Sequence, residues 1–281
     1  MPNVSTPSNV AARLAEFAQN GTFGLFTDFD GTLSDVAPTP DSAEPAPGVR
    51  ETLTALAGQI SLVGIVTGRG IADVRERIGL PDLLYVGNHG LESMDRGEHH
   101  VHPAGIAAQQ ALPEAMRDIK QRLEAHVPLD GVIFEDKVYS GSIHYRLSPD
   151  PAAVERVLVD IVDQVSREHG FRPSGGKMVI ELRPSDAVTK GSAVRELVTE
   201  RGLESAAFLG DDVTDADAFM ALNQLRSDRG IQTCSVGVLT LDTASVVIEL
   251  ADFLLDGVNS VVAMLLELTE LLGGKVEGNV R

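Results

Sequence analysis

Short apolar runs alternate with segments of helical length on both sides of a central stretch that breaks the rhythm, and this pattern fixes the class of fold. The runs at 23–27, 60–66, 84–86, 206–209, 233–238 and 253–255 are separated by candidate helices at 49–59, 71–79, 190–202, 215–225 and 258–272. Such alternation marks a parallel sheet with crossover helices. One α/β, Rossmann-like parallel sheet built from both ends of the chain is therefore expected. The stretch between them reads as helix near 111–125, strand at 132–134, alternating strand at 138–147, helix at 151–168 and strand at 178–182. Strand pairs beside helices predict an inserted α+β module. The expected organisation is a core of residues 1–107 and 187–281 with the module at 108–186.

With 281 residues, 43% of them hydrophobic, the chain can bury a sizeable core. Its 23 basic and 41 acidic residues give a formal charge of −18, which argues against nucleic acid and anionic membrane as partners. A phosphate-bearing ligand must find local positive charge. The single Cys234 lies in an apolar stretch, cannot form an intramolecular disulfide, and reads as a small buried hydrophobe. No stretch has the length of a membrane span and the N-terminus lacks signal-peptide features, so a soluble, cytoplasmic protein is expected. The Pro-rich stretch 37–48 is of loop length and reads as a connection.

The first apolar run ends in Asp28-Phe29-Asp30-Gly31-Thr32. Residues two apart in extended chain face the same way, so both acids can enter one crevice while Gly31 lets the chain turn. A turn whose acids satisfy backbone is the plain alternative. An EF-hand is excluded, because its Gly and Glu positions hold Leu33 and Thr39. A second acidic stretch, Gly210-Asp211-Asp212-Val213-Thr214-Asp215, follows the run 206–209 and opens a helix. Thr214 with Asp217 could form a capping box. One cap needs one or two acids, and Asp211, Asp212, Asp215 and Asp217 exceed that, which favours a metal. Oxygen ligands without nearby His or Cys point to a hard cation, Mg²⁺ before others. Asp28 and Asp211 are expected as direct ligands, with Asp30, Asp212 and Asp215 completing the candidate set. Lys190, at a helix start, could neutralise phosphate. Thr67, ending the second run, could hold phosphoryl oxygens at the next helix N-terminus. Each of these two is an ordinary surface residue when read alone.

Taken together, Asp-x-Asp-Gly-Thr, Thr67, Lys190 and Gly-Asp-x-x-x-Asp resemble the four ordered signatures of the haloacid-dehalogenase-like (HAD-like) phosphohydrolases. The resemblance implies that Asp28 is a nucleophile forming an aspartyl-phosphate, that Asp30 is the general acid and then base, and that Mg²⁺ screens the phosphate.

In the module, alternation over 138–147 puts Ser140, Ser142, His144 and Arg146 on one face and Tyr139, Ile143, Tyr145 and Leu147 on the other. A one-sided sheet with its polar face in water explains this equally well. The particular residues go further. Glu135-Asp136-Lys137, His144-Tyr145-Arg146, Gly176-Lys177-x-x-x-Glu181-x-Arg183-Pro184 and Gly87-Asn88-His89-Gly90-x-Glu92 resemble the trehalose-6-phosphate phosphatases. That resemblance implies a substrate-specificity cap in which Glu135, Lys137, Arg146, Lys177 and Glu181 hold sugar hydroxyls, with Arg69 and Asn88 at the crevice mouth. It also implies functional coupling to a trehalose-6-phosphate synthase. A related phosphatase of sucrose phosphate or a glycosyl-phosphoglycerate, and a catalytically silent sugar-phosphate sensor, are the competing readings. The chain departs from the family pattern at Thr67, where Ser is commoner, and at Thr189, where an Asp commonly precedes the lysine.

Overall fold

A computed structural model describes residues 4–176, 178–185, 188–240 and 243–274. In chain order its elements are α1 (Pro7–Gln19), β1 (Phe23–Thr27), α2 (Val49–Ala57), β2 (Leu62–Val66), α3 (Ile71–Ile78), β3 (Leu84–Gly87), β4 (Glu92–Asp95), β5 (Glu98–Val101), α4 (Pro103–Glu124), β6 (Ile133–Asp136), β7 (Gly141–His144), α5 (Pro151–His169), β8 (Phe171–Gly176), β9 (Val179–Pro184), α6 (Lys190–Glu200), β10 (Ser205–Gly210), α7 (Val213–Arg229), β11 (Gln232–Leu239), α8 (Ser245–Leu250), β12 (Phe253–Asp256) and α9 (Gly257–Leu271). They fall into two compact units, one running to His99 and resuming at Thr189, the other spanning His100–Val188.

In the first unit the strand order is β12-β11-β10-β1-β2-β3-β4-β5. Every pair from β12 to β3 is parallel, and β4 joins antiparallel. The expected α/β sheet built from both ends of the chain is borne out. All five residues of β1 are buried, because helices cover both faces. Phe23 and Leu25 belong to a core with Leu14 and Phe17 of α1, Leu53 of α2 and Leu265 of α9. Phe26 joins Phe208 of β10 in a second core with Val194 of α6 and Phe219 of α7. Burying each such side chain stabilises by about 1.5–3 kcal/mol. A run apolar on both faces is what a central parallel strand requires.

The chain moves outward from β1 to β3 on one side and from β10 to β12 on the other, so the sheet changes direction between β1 and β10. Ligands of open α/β sheets bind outside the strand ends at such a switch point. Asp28 and Asp211 directly follow these two strands.

Several features of this unit, helix α8 among them, lay outside the sequence reading. Helix α1 has Thr6 as its cap and Pro7 in its first turn, and packs on α9. The turn at Arg96 and Gly97, both at positive φ, joins the polar strands β4 and β5, whose composition hides them. Helix α7 starts two residues before 215, which changes its cap. Cys234 is buried as expected, and burial, with Asp252 nearby, pushes its thiol up to about 12. No helix among the described residues is long and apolar enough to cross a membrane.

The second unit is a four-stranded antiparallel sheet, order β6-β7-β9-β8. Leu112 and Ile119 of α4 and Leu158 and Val162 of α5 share a core with Ile143, Tyr145 and Leu182. The division from the first unit falls at 99/100 and 188/189, where the sequence reading expects 107/108 and 186/187. Helix α4 begins at Pro103, its cap being His102, whose Nδ1 accepts from Ala104 N at 3.1 Å. Pro113 sits inside it and delays any start drawn from the sequence. The expected strand 138–147 shortens to β7. A reverse turn with Val138 at φ 73° breaks it, closed by Lys137 N–H donating to Ser140 O at 2.9 Å. Strand β8, rich in Gly and Pro, gives little strand signal and occupies a sheet edge, where Pro is tolerated.

Candidate active site

Strand β1 hands directly into the first acidic turn. Asp28 N–H donates to Leu209 O at 2.9 Å, and Phe29 O accepts from the N–H groups of Leu33 and Ser34, both at 2.9 Å. Gly31 stands at φ 76°, and a Cβ there would meet Asp211 Oδ1 at 2.3 Å. Both the left-handed backbone and the closeness of Asp211 demand glycine. Gly31→Ala is expected to lower stability by at least about 1–2 kcal/mol, the strain of a left-handed residue. A urea midpoint unchanged from wild type would show that the turn relaxes instead.

Asp28, Asp211 and Asp215 present carboxylate oxygens within 4.8 Å of one another, and their residues are 5%, 2% and 0% exposed. Lys190 enters the same cluster, its Nζ lying 2.9 Å from Asp28 Oδ1 and 2.7 Å from Asp215 Oδ1. It is the first residue of α6, where Thr189 and Ser192 form a capping box. The Thr at 189 thus caps the helix, while the lysine is oriented by Asp28 and Asp215. Burial opposes the Lys190 charge, but Asp215 and Asp28 outweigh it and hold its pKa above the ordinary value. Burial pushes Asp28 up to about 7, with Lys190 opposing and Asp215 and Asp30 adding to the rise. Asp215 is raised as well, again chiefly by burial. One ammonium thus lies among three buried acids.

The acidic stretch after β10 divides its labour. Asp212 is the cap of α7, and its Oδ1 accepts from Val213 N–H at 2.7 Å. Asp215 Oδ2 accepts from the N–H groups of Asp211 and Asp212, both at 3.0 Å. The capping box is therefore Asp212 with Asp215, not Thr214 with Asp217, because α7 begins at Val213. Asp28, Asp211 and Asp215 are the acids whose carboxylate oxygens converge closely enough to hold a hard divalent cation. Such an ion would favour the ionised form of Asp28, which burial disfavours.

Asp30 turns to Arg69, which binds it through Nε at 2.6 Å and Nη2 at 2.8 Å. Arg69 is only 7% exposed. Its Nη1 donates to Asp73 at 2.6 Å, and the guanidinium lies 5.3 Å from the centre of the Phe29 ring. Burial raises the Asp73 carboxyl, yet Arg77 and Arg69 outweigh that and hold it below the usual range. Arg69 thus sits inside a charge network with Asp30 and Asp73. Thr67 directly follows β2, is 1% exposed, and its hydroxyl accepts from Arg69 N–H at 3.2 Å. Asn88, also expected at the mouth, is fully buried, and its Nδ2 donates to Glu92 Oε1 at 2.7 Å.

In the second unit the register sets Glu135 beside Ser142 and Ser142 beside Glu181. Lys137 Nζ donates to Glu181 Oε1 at 2.8 Å, and His144 Nε2 lies 2.7 Å from Glu135 Oε2. Three expected residues, Glu135, Lys137 and Glu181, thus form with His144 two polar pairs on neighbouring strands, with Arg146 half-buried two residues beyond His144. Lys177 lies outside the described residues. The sequence reading missed the Asp73 and Glu92 contacts, since neither acid stands in a pattern that betrays its partner.

A family model described as trehalose-phosphatase matches residues 26–245. Among curated proteins, the trehalose-phosphate phosphatase of Mycobacterium tuberculosis (strain H37Rv) is 38% identical over 203 residues, covering 69% of this chain and 50% of the relative. The chain therefore spans about half the length of the curated relatives it matches. Of solved structures, the C-terminal domain of C. albicans trehalose-6-phosphate phosphatase aligns with a TM-score of 0.77 at 24% identity, over 97% of this chain and 100% of that one. The C-terminal domain of the Candida albicans trehalose synthase regulatory protein aligns at 0.70 and 13% identity, over 94% and 99%. At these identities the structural likenesses establish the fold alone.

Proposed function

Because the chain belongs to the trehalose-phosphatase family, we propose that it hydrolyses trehalose 6-phosphate to trehalose and phosphate through an aspartyl-phosphate on Asp28. The observation that carries this reading is the buried cluster of Asp28, Asp211, Asp215 and Lys190 at the sheet's switch point. An Asp28 oxygen attacks phosphorus as the bond to the sugar oxygen breaks, and Asp30 gives that oxygen its proton. Water then adds to phosphorus, losing a proton to Asp30 and releasing phosphate and the Asp28 carboxylate. Lys190 balances charge beside Asp28, and Thr67 with the N-terminus of α3 holds phosphoryl oxygens. Asp28 and Asp211 would hold Mg²⁺, whose chemistry is to offset phosphate charge during in-line displacement. Asp215 positions Lys190 and the 211–212 backbone.

Glu135, Lys137, Arg146 and Glu181 are proposed to bind sugar hydroxyls through charge-assisted hydrogen bonds. Arg69 and Asn88, expected beside them, bond Asp30, Asp73 and Glu92 and are proposed to act through those acids. The proposal includes a cytoplasmic setting and functional coupling to a trehalose-6-phosphate synthase, the reaction that would supply the substrate.

The competing reading, a silent sugar-phosphate sensor, is opposed by the joint presence of Asp28, Asp30, Lys190 and Asp211. Phosphate release from trehalose 6-phosphate, sucrose phosphate and a glycosyl-phosphoglycerate, each with Mg²⁺ and with chelator, tests both readings. Release from trehalose 6-phosphate is expected to dominate and to need Mg²⁺. Preference for another ester would sink the substrate assignment, full activity in chelator would sink the metal, and no release from any ester would leave the sensor.

A further inference from the structure

The Asn88-His89-Gly90-x-Glu92 motif is bonded to the loop that follows β2. Asn88 N–H donates to Arg69 O at 2.8 Å, and His89 N–H donates to Thr67 O at 3.0 Å. Two carbonyls flanking Gly68 are thereby held by donors. Carbonyl oxygens repel phosphoryl oxygens, so tying them to donors suits a loop that must receive an anion. The imidazole of His89 closes over Gly68, where a Cβ would meet its Nε2 at 2.5 Å.

This clamp is made from strained backbone. Asn88 and His89 stand at φ 50° and 58°, consecutive non-glycine residues in the left-handed region, a conformation that surrounding structure must enforce. The enforcing group is Glu92, 6% exposed. Its Oε1 accepts from Asn88 Nδ2 at 2.7 Å and from Ile71 N–H at 2.9 Å, while Oε2 lies 2.9 Å from His99 Nε2. Ile71 is the first residue of α3. One buried carboxylate thus joins both borders of the Thr67–Gly70 loop, the strained pair at one end and the helix start at the other.

We propose that Glu92, acting through Asn88 and the first N–H of α3, is a positioning residue that holds the Thr67 loop in its phosphate-receiving shape. The inference rests on the reading of Thr67 as a phosphoryl holder, and it assigns Glu92 and Asn88 to the phosphate side of the reaction instead of the sugar side. Loss of the clamp should weaken every ligand that carries a phosphoryl group, whatever its alcohol.

The test uses the full chain and inorganic phosphate as probe, titrated by calorimetry, beside kcat/KM for trehalose 6-phosphate and para-nitrophenyl phosphate. Glu92→Ala is expected to weaken phosphate binding about tenfold or more, since misplacement of positioning groups carries losses of that order. Both kcat/KM values should fall by a common factor. Glu92→Gln keeps an acceptor for Ile71 N–H, and its phosphate affinity should stay within about threefold of wild type, a neutral hydrogen bond replacing a charged one. Should the alanine variant fail to fold, Asn88→Ala keeps the carboxylate, removes its link to the strained pair, and should still weaken phosphate binding. Folded Glu92→Ala, or Asn88→Ala in its place, binding phosphate as wild type does would overturn the proposal. A loss confined to trehalose 6-phosphate would return these residues to the sugar. Wild-type protein that binds no phosphate would remove the Thr67 reading itself, and this inference with it.

Discussion

Asp28→Asn is expected to abolish phosphate release, lowering turnover by about 10⁴-fold or more, as removal of a nucleophile does. The amide is nearly the same size, so Asp28 N–H should still pair with Leu209 O and the turn at Gly31 should persist. What disappears is the attacking oxygen and one charge of the cluster. Stability should not suffer. Burial already pushes Asp28 up to about 7, so above that pH the ionised carboxylate opposes folding, and a neutral amide removes the conflict. Acid-quenched wild type incubated with substrate should carry covalent phosphate and the variant none. Turnover within about tenfold of wild type would rule out the aspartyl-phosphate, because even loss of a general base commonly costs 10²–10⁴-fold.

Lys190→Met is expected to have the largest effect on stability. The ammonium is 2% exposed and touches both Asp28 and Asp215. Removing one partner of a buried ion pair typically costs about 3–5 kcal/mol, because the other charge stays buried without compensation. The pH dependence has a definite sign. Asp28, raised from 3.8 to about 7, and Asp215, also raised, keep protons in the folded chain that the unfolded chain releases. Such groups make stability fall as pH rises through the interval between unfolded and folded pKa. Without the lysine, whose charge lowers both, the interval extends upward. The deficit of the variant should therefore be greatest at pH 8 and shrink at pH 6, and Mg²⁺ should restore part of it at pH 8 if Asp28 and Asp211 hold the ion. Urea midpoints at the two pH values, with and without Mg²⁺, measure this. Equal midpoints for variant and wild type at pH 8 would mean that the acids are already neutral there.

The rhythm of apolar runs was enough to specify the α/β sheet, since a strand buried on both faces must be apolar at every position, as in Phe-Gly-Leu-Phe-Thr of β1. The acids at 28, 30 and 211 could be placed at strand ends for the same reason, because they follow those runs directly. Strands β4, β5 and β8 were invisible: their residues are polar, or rich in Gly and Pro, and only pairing with a neighbour makes them strands. Partnership was equally beyond local reading. Thr214 with Asp217 fits a capping pattern as well as Asp212 with Asp215, and the true start of α7 depends on how β10 delivers the chain. Arg69 and Asn88 carry polar groups fit for sugar, yet Asp30 lies 39 residues before the arginine, and Glu92, close to Asn88 in sequence, also accepts from Ile71, 21 residues before it. Local sequence determines which backbone shape is favoured and which face is apolar. Which buried charge meets which depends on contacts distant in sequence, and there the tertiary structure decided that Lys190 lies between Asp28 and Asp215, and that Glu92 closes on the start of α3.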